Sequence, residues 1–179
     1  MGRSKPLLDA GGKTFLARIL ESFRVGGADP ILVVVEDPHG PEGREALSAG
    51  GVAIRNPDPS PGPISSLQAG IRALPGNVSG TFFCPADHPL FLPETVQALV
   101  STFQKGGGHI VTPTWEGRRG HPVLFSRELF PEFLEDGLPH GARSVVGRYL
   151  RSRVEVPVDD PGILVDIDTP EDYRRHFLP

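Results

Sequence analysis

Residues 14–35, TFLARILESFRVGGADPILVVV, decide the fold. Phe15, Leu16, Ile19, Leu20 and Phe23 recur at helical spacing behind Thr14, and Gly26-Gly27 halts the pattern before the unbroken run Ile31-Leu32-Val33-Val34-Val35. An apolar stripe followed by a continuous apolar run reads as an amphipathic helix feeding a buried strand.

The same alternation continues downstream. Residues 43–49 read as a helix, 52–55 as a short strand, 65–74 as a helix and 81–84 as a strand; Pro93, Val96, Leu99, Val100 and Phe103 then mark a helix with proline in its first turn. Four prolines within 56–63 forbid a regular element there. The order βαβα predicts an α/β domain with a largely parallel sheet and helices on both faces. The second half is less regular. Strands at 109–112 and 121–125 surround the polar loop 116–120, and helices at 129–134 and 142–150 follow, which predicts an antiparallel excursion. Short strands at 154–156 and 163–165 precede Thr169-Pro170-Glu171-Asp172, a capping threonine with proline first and an acid third, so the last element is a helix.

The chain has 179 residues, enough for one domain with its own core. Its hydrophobic content of 38% is globular, and a net charge of -4 without a long basic run excludes nucleic acid as the expected partner. The single cysteine, Cys84, forms no internal disulfide, and beside Phe82 and Phe83 it reads as a buried strand thiol, in keeping with a reducing, cytoplasmic setting. No apolar run approaches the length that crosses a bilayer, and Met1 to Pro6 carry no apolar region behind their charges, so neither secretion nor membrane insertion is expected.

Open parallel sheets bind ligands beyond the carboxyl ends of their strands. Asp87 stands there, following the strand at 81–84 through Pro85-Ala86, and suits a hard cation that takes one or two carboxylates plus substrate phosphate oxygens. A turn-forming role before the proline-rich loop fits it equally. Asp168 repeats the arrangement after 163–165; its alternative is an acid favoured near a helix N-terminus. Asp166 belongs with Asp168 or with a basic neighbour. Gly2, Arg3 and Lys5 offer a glycine and two cations for phosphates. Ser65, Ser66 and Leu67 open a helix whose amides and hydroxyls suit a ligand or, for Ser65, ordinary capping.

Taken together, Met1 to Leu8, Gly62 to Leu67 with Gln68-Ala69-Gly70, Pro85-Ala86-Asp87-His88-Pro89, Gly120 to Phe125, Gly141-Ala142-Arg143 and Asp166 to Asp172 occur in an order that resembles the MobA-like nucleotidyltransferases, and among these the molybdopterin cytidylyltransferases most. The resemblance covers nearly the whole chain. It implies a Rossmann-like, glycosyltransferase-A-type fold of the nucleotide-diphospho-sugar transferases. It also implies transfer of CMP from CTP to the phosphate of molybdopterin with release of pyrophosphate, and a molybdoenzyme as a further partner. Lys5, Asp87 and Asp168 become the catalytic set, with Mg²⁺ on Asp87 and Asp168. Gly2, Arg3, Lys5, Ser65, Ser66, Leu67 and Asp87 become the nucleotide site, with Ser65-Ser66 as base reader, and His121 and Arg143 the acceptor site. His121 also fits a structural role at a strand start, and Arg143 a surface charge at a helix start. The acceptor, a phosphate monoester with a second pKa near ~6, needs no general base, which agrees with the lack of a Ser-His-Asp or Cys-His constellation.

One departure stands out. In the family pattern a first strand and a glycine turn precede Met-Gly and the lysine, whereas Met1-Gly2 matches only the tail. The resemblance therefore implies a start assigned too late and a central strand missing, its neighbours left with unpaired backbone groups. A sugar phosphate as acceptor, or a non-catalytic nucleotide-binding domain, remains open beside the favoured reading.

Overall fold

The computed structural model describes residues 4–178. The stripe helix is α1 (Phe15–Val25), whose N-cap Thr14 accepts a hydrogen bond from the Ala17 amide at 3.0 Å and whose apolar face is buried. It leads to β1 (Leu32–Val35), α2 (Pro41–Ser48), β2 (Val52–Arg55), α3 (Pro63–Ala73), β3 (Gly80–Phe83) and α4 (Pro93–Gln104). Proline opens α2, α3 and α4, where its fixed φ and missing N–H cost nothing. The second half supplies β4 (Ile110–Trp115), β5 (Arg118–Arg119), β6 (Val123–Ser126), α5 (Phe130–Phe133), α6 (Ala142–Arg148), β7 (Arg153–Pro157) and α7 (Pro170–Phe177).

The sheet is not largely parallel. β1 and β2 form a parallel pair by themselves, while β3, β6, β4 and β5 run in that order, with β7 also beside β4. In the larger sheet only β4 and β7 are parallel; the other pairs are antiparallel, because β6 returns between β3 and β4. Helices do cover both faces. Along β4, Ile110 packs with α3, α5 and α6, while its neighbour Val111 packs on the face of α4. Phe125 and Leu124 of β6 divide the same way, as strand geometry requires.

The expected strand at 163–165 is absent. Pro161–Leu164 forms a 3₁₀ turn whose cap is Asp160, accepting from the Gly162 amide at 2.9 Å. Asp160 is 3% exposed and its other oxygen accepts from the Leu92 amide (2.8 Å) and Thr95 Oγ1 (2.6 Å), so this stretch is bound to the start of α4 and not to the sheet. Gly162 has no room for a side chain there: a Cβ would stand 2.1 Å from the Leu90 carbonyl oxygen.

Between β1 and β3 the sheet is interrupted. Among the described residues neither strand has a partner on the facing edge, and a cavity of ≈ 2130 Å³ lies between them, with α1 and α3 also in its walls. Leu32 to Val35, read from the sequence as buried, are consequently only half-buried. Unpaired strand edges rely on water for their hydrogen bonds.

In hydrogen exchange the amides of Leu32 and Val34, which point away from β2, are expected to lose protection well before that of Val111, which lies between β6 and β7; equal protection would contradict an open edge. Asp160→Ala is expected to lower stability by about 3 kcal/mol, because donors at Leu92, Thr95 and Gly162 lose one shared acceptor. The readout is a lower urea midpoint at unchanged slope.

Candidate active site

After β3 the chain passes Cys84, Pro85 and Ala86 into a turn closed by the His88 amide on the Pro85 carbonyl (3.3 Å), which leaves Asp87 beyond the strand end. The loop before α7 reaches the same place. Ile167 donates its amide to the Asp87 carbonyl at 2.9 Å, and its side chain, fully buried, packs with Ala10 and Phe15. Asp166 and Asp168 flank it and are exposed. A third segment joins through the same cluster: Leu8 packs there, and its carbonyl accepts from the Phe15 amide at 2.9 Å. This brings Lys5, in a 3₁₀ turn at Lys5–Leu7, to Asp168, with Nζ 2.7 Å from Oδ1.

The hydrogen bond that Lys5 donates to Asp168 raises the Lys5 pKa most; desolvation opposes it, and the charges of Asp168, Asp87 and Asp166 each add a smaller increase. Both partners are well exposed, so the pair adds little stability. Its significance is electrostatic, since three carboxylates stand around one ammonium.

Asp87 Oδ1 is buried without a hydrogen-bond partner. The nearest cationic candidate, His88 Nε2, is 3.8 Å away, beyond hydrogen-bond reach, and burial pushes the His88 pKa down, so that imidazole is neutral at pH 7. An orphaned carboxylate oxygen among excess negative charge fits a Mg²⁺-type cation that draws its remaining ligands from substrate and water. Among the described residues no three His, Cys, Asp or Glu side chains form a metal cluster.

His121 packs against His88, ring centroids 4.6 Å apart and planes tilted by 55°. Burial first, then His88, pushes its pKa down to about 4. Its place is fixed by Gly120: a Cβ there would lie 2.2 Å from the Ile163 carbonyl oxygen, which accepts the His121 amide at 2.9 Å. The glycine of the Gly-His-Pro motif is thus a close-approach residue. Cys84 is no nucleophile, because burial, with Asp87 adding to it, drives its thiol pKa upward.

The helix-opening residues divide by direction. Ser66 and Leu67 line the large cavity together with His121 and Arg143. Ser65 is 8% exposed, does not cap α3, and donates its hydroxyl to the Gly62 carbonyl at 2.8 Å. Arg143 is exposed, with no side-chain partner among the described residues. Gly2 and Arg3 lie outside the described residues. Sequence reasoning passed over Asn56, His88 and Asp160. Asn56 stood unread among prolines, His88 was read only as part of the segment around Asp87, and Asp160 gave no local signal.

Residues 1–154 match the MobA-like NTP transferase domain. The chain belongs to this family. The molybdenum cofactor guanylyltransferase of Rhizobium meliloti (strain 1021) is 30% identical over 98% of this chain and 84% of its own length. The molybdenum cofactor cytidylyltransferase of Escherichia coli (strain K12) is 24% identical over 67% of this chain and 59% of its own length. The expected leaning to the cytidylyl branch is therefore not carried by these relatives; the guanylyltransferase matches at higher identity and over more of the chain. The fold is also that of Rv0371C from Mycobacterium tuberculosis H37Rv, solved in complex with manganese, at a TM-score of 0.79 and 24% identity over 99% of this chain and 94% of that one. Among the described residues no helix is long and apolar enough to cross a membrane.

His121 has a folded-state pKa of about 4 against roughly 6.5 for an unperturbed imidazole, so the unfolded chain binds the extra proton between these values. Its contribution is complete above pH 6.5 and is lost as pH falls toward 4. The unfolding midpoint of His121→Gln is expected to fall less steeply than that of the parent over this window; parallel curves would remove His121 as the cause.

Proposed function

We propose that this chain transfers a nucleoside monophosphate from a Mg²⁺-bound nucleoside triphosphate to the phosphate of a small acceptor, with molybdopterin as the acceptor and GTP as the donor. The supporting observation is the convergence of Lys5, Asp87 and Asp168 just past the end of β3, through the Ile167–Asp87 backbone bond. GTP replaces the CTP expected from sequence because the guanylyltransferase relative matches over more of the chain. CTP is the second reading, and a sugar phosphate is the alternative acceptor.

In this reading an acceptor phosphate oxygen forms a bond to the α-phosphorus, the bond from the α-phosphorus to the bridging oxygen breaks, and pyrophosphate leaves with the electron pair. Asp87 and Asp168 would hold the divalent cation, which when bound supplies charge neutralisation to the phosphate oxygens. Lys5 brings the protein's own positive charge to the leaving pyrophosphate, and Arg3 is assigned the same task. Ser66 faces the base and Arg143, at the cavity edge with His121, the acceptor phosphate. No side chain has to remove a proton, since the acceptor is already ionised.

The opening between β1 and β3 has room for one more strand, whose following turn would complete the phosphate site. Without it, nucleotide binding with little turnover is the alternative.

Asp87→Asn is expected to lower Mg²⁺-dependent pyrophosphate release by at least about 100-fold while leaving the unfolding midpoint in place. Retained turnover removes Asp87 from the mechanism. The assay is run with GTP and CTP, on the chain alone and on a version extended by the in-frame upstream residues. Preference for CTP selects the cytidylyl reading, and inactivity of both versions with every nucleotide selects a binding role.

A further inference from the structure

Asn56, the residue after β2, is 5% exposed and continues the parallel ladder by donating its amide to the Val35 carbonyl at 2.7 Å. Its side-chain amide is saturated. Nδ2 donates to Ser65 Oγ at 2.9 Å and to Ser66 Oγ at 3.2 Å, while Oδ1 accepts from the Asp58 amide at 3.2 Å. The Asp58 contact fixes which end is which, because a flipped amide would set Nδ2 against the Asp58 N–H.

Each serine hydroxyl has one proton to give. Ser65 accepts from Asn56 and spends its proton on the Gly62 carbonyl, so it has no donor left and stands outside the cavity wall. Ser66 also accepts from Asn56, but it donates to no group among the described residues and lines the cavity. Asn56 therefore makes the two neighbouring serines chemically unequal.

We propose that Asn56 is a positioning residue that holds Ser66 with its hydroxyl proton turned into the cavity, where it donates to an acceptor atom of the nucleotide's base, while Ser65 is spent on fastening β2 to α3. This rests on the nucleotide-binding reading above. A base offering a carbonyl oxygen or an unprotonated ring nitrogen satisfies the site; a base group with only N–H to offer does not.

The test is a set of equilibrium titrations on the full chain with Mg²⁺, using GTP, CTP and inorganic pyrophosphate as probes. Ser66→Ala is expected to raise the nucleotide Kd about tenfold, the worth of one hydrogen bond, with the pyrophosphate Kd unchanged. Asn56→Ala should raise the nucleotide Kd several-fold in the parent but by less than twofold in the Ser66→Ala background, although it lowers the unfolding midpoint in both. That non-additivity separates positioning from a merely structural loss. Equal, additive effects, or an unchanged nucleotide Kd in Ser66→Ala, would overturn the proposal while leaving nucleotide binding standing. A rise in the pyrophosphate Kd would assign Ser66 to phosphate and overturn it too. If Asn56→Ala does not fold, Asn56→Asp takes its place in the same cycle: a carboxylate only accepts, so it draws the Ser66 proton back from the cavity and should raise the nucleotide Kd in the parent but not in the Ser66→Ala background, while an unchanged Kd in the parent overturns the proposal. If the parent binds neither nucleotide, the functional reading and this proposal fall together.

Discussion

The hydrogen bond from the Ile167 amide to the Asp87 carbonyl is the constraint on which the site depends. It joins two segments far apart in sequence, and it holds because the Ile167 side chain is fully buried against Ala10 and Phe15. Hydrophobic burial supplies the free energy, and the backbone bond supplies direction. The neighbours Asp166 and Asp168 are left exposed as a result, and the segment carrying Lys5 is drawn in by the same small cluster. A charged site is thus positioned by an apolar residue that takes no part in its chemistry.

The arrangement concentrates negative charge where the protein can least neutralise it. Lys5 answers Asp168, yet Asp87 Oδ1 is buried beside a histidine whose burial keeps it uncharged. Such a group is costly unless a cation or a donor reaches it. The tilted His88 and His121 rings complete an uncharged wall on that side. Opposite, Asn56 and Ser65 leave no polar atom unmatched, and Ser66 faces the open space.

The interrupted sheet is the other governing fact. β1 and β3 each carry a run of apolar residues, and α1 and α3 form further walls of the space between them. The strands are held on their outer edges, by β2 and by β6, and stand half-buried for want of a neighbour on the inner ones. The two halves of the molecule still share packing: Phe23 of α1 contacts Phe82 of β3, with Val33 of β1 in the same cluster.

Local sequence determined the elements. The stripe in α1, the prolines at the starts of α2, α3 and α4, and the Thr169–Asp172 capping box are short-range interactions, legible because their partners lie within a turn. Asp87 was legible for a similar reason, since it follows an apolar strand. Tertiary structure decided what local pattern cannot carry. It set the order of strands, which depends on where β6 returns, and it turned 161–164 away from the sheet, which depends on Asp160 meeting Leu92 and Thr95. It also decided which serine faces the cavity, because Ser65 and Ser66 are alike in sequence and differ only in the partners that the fold sets around them.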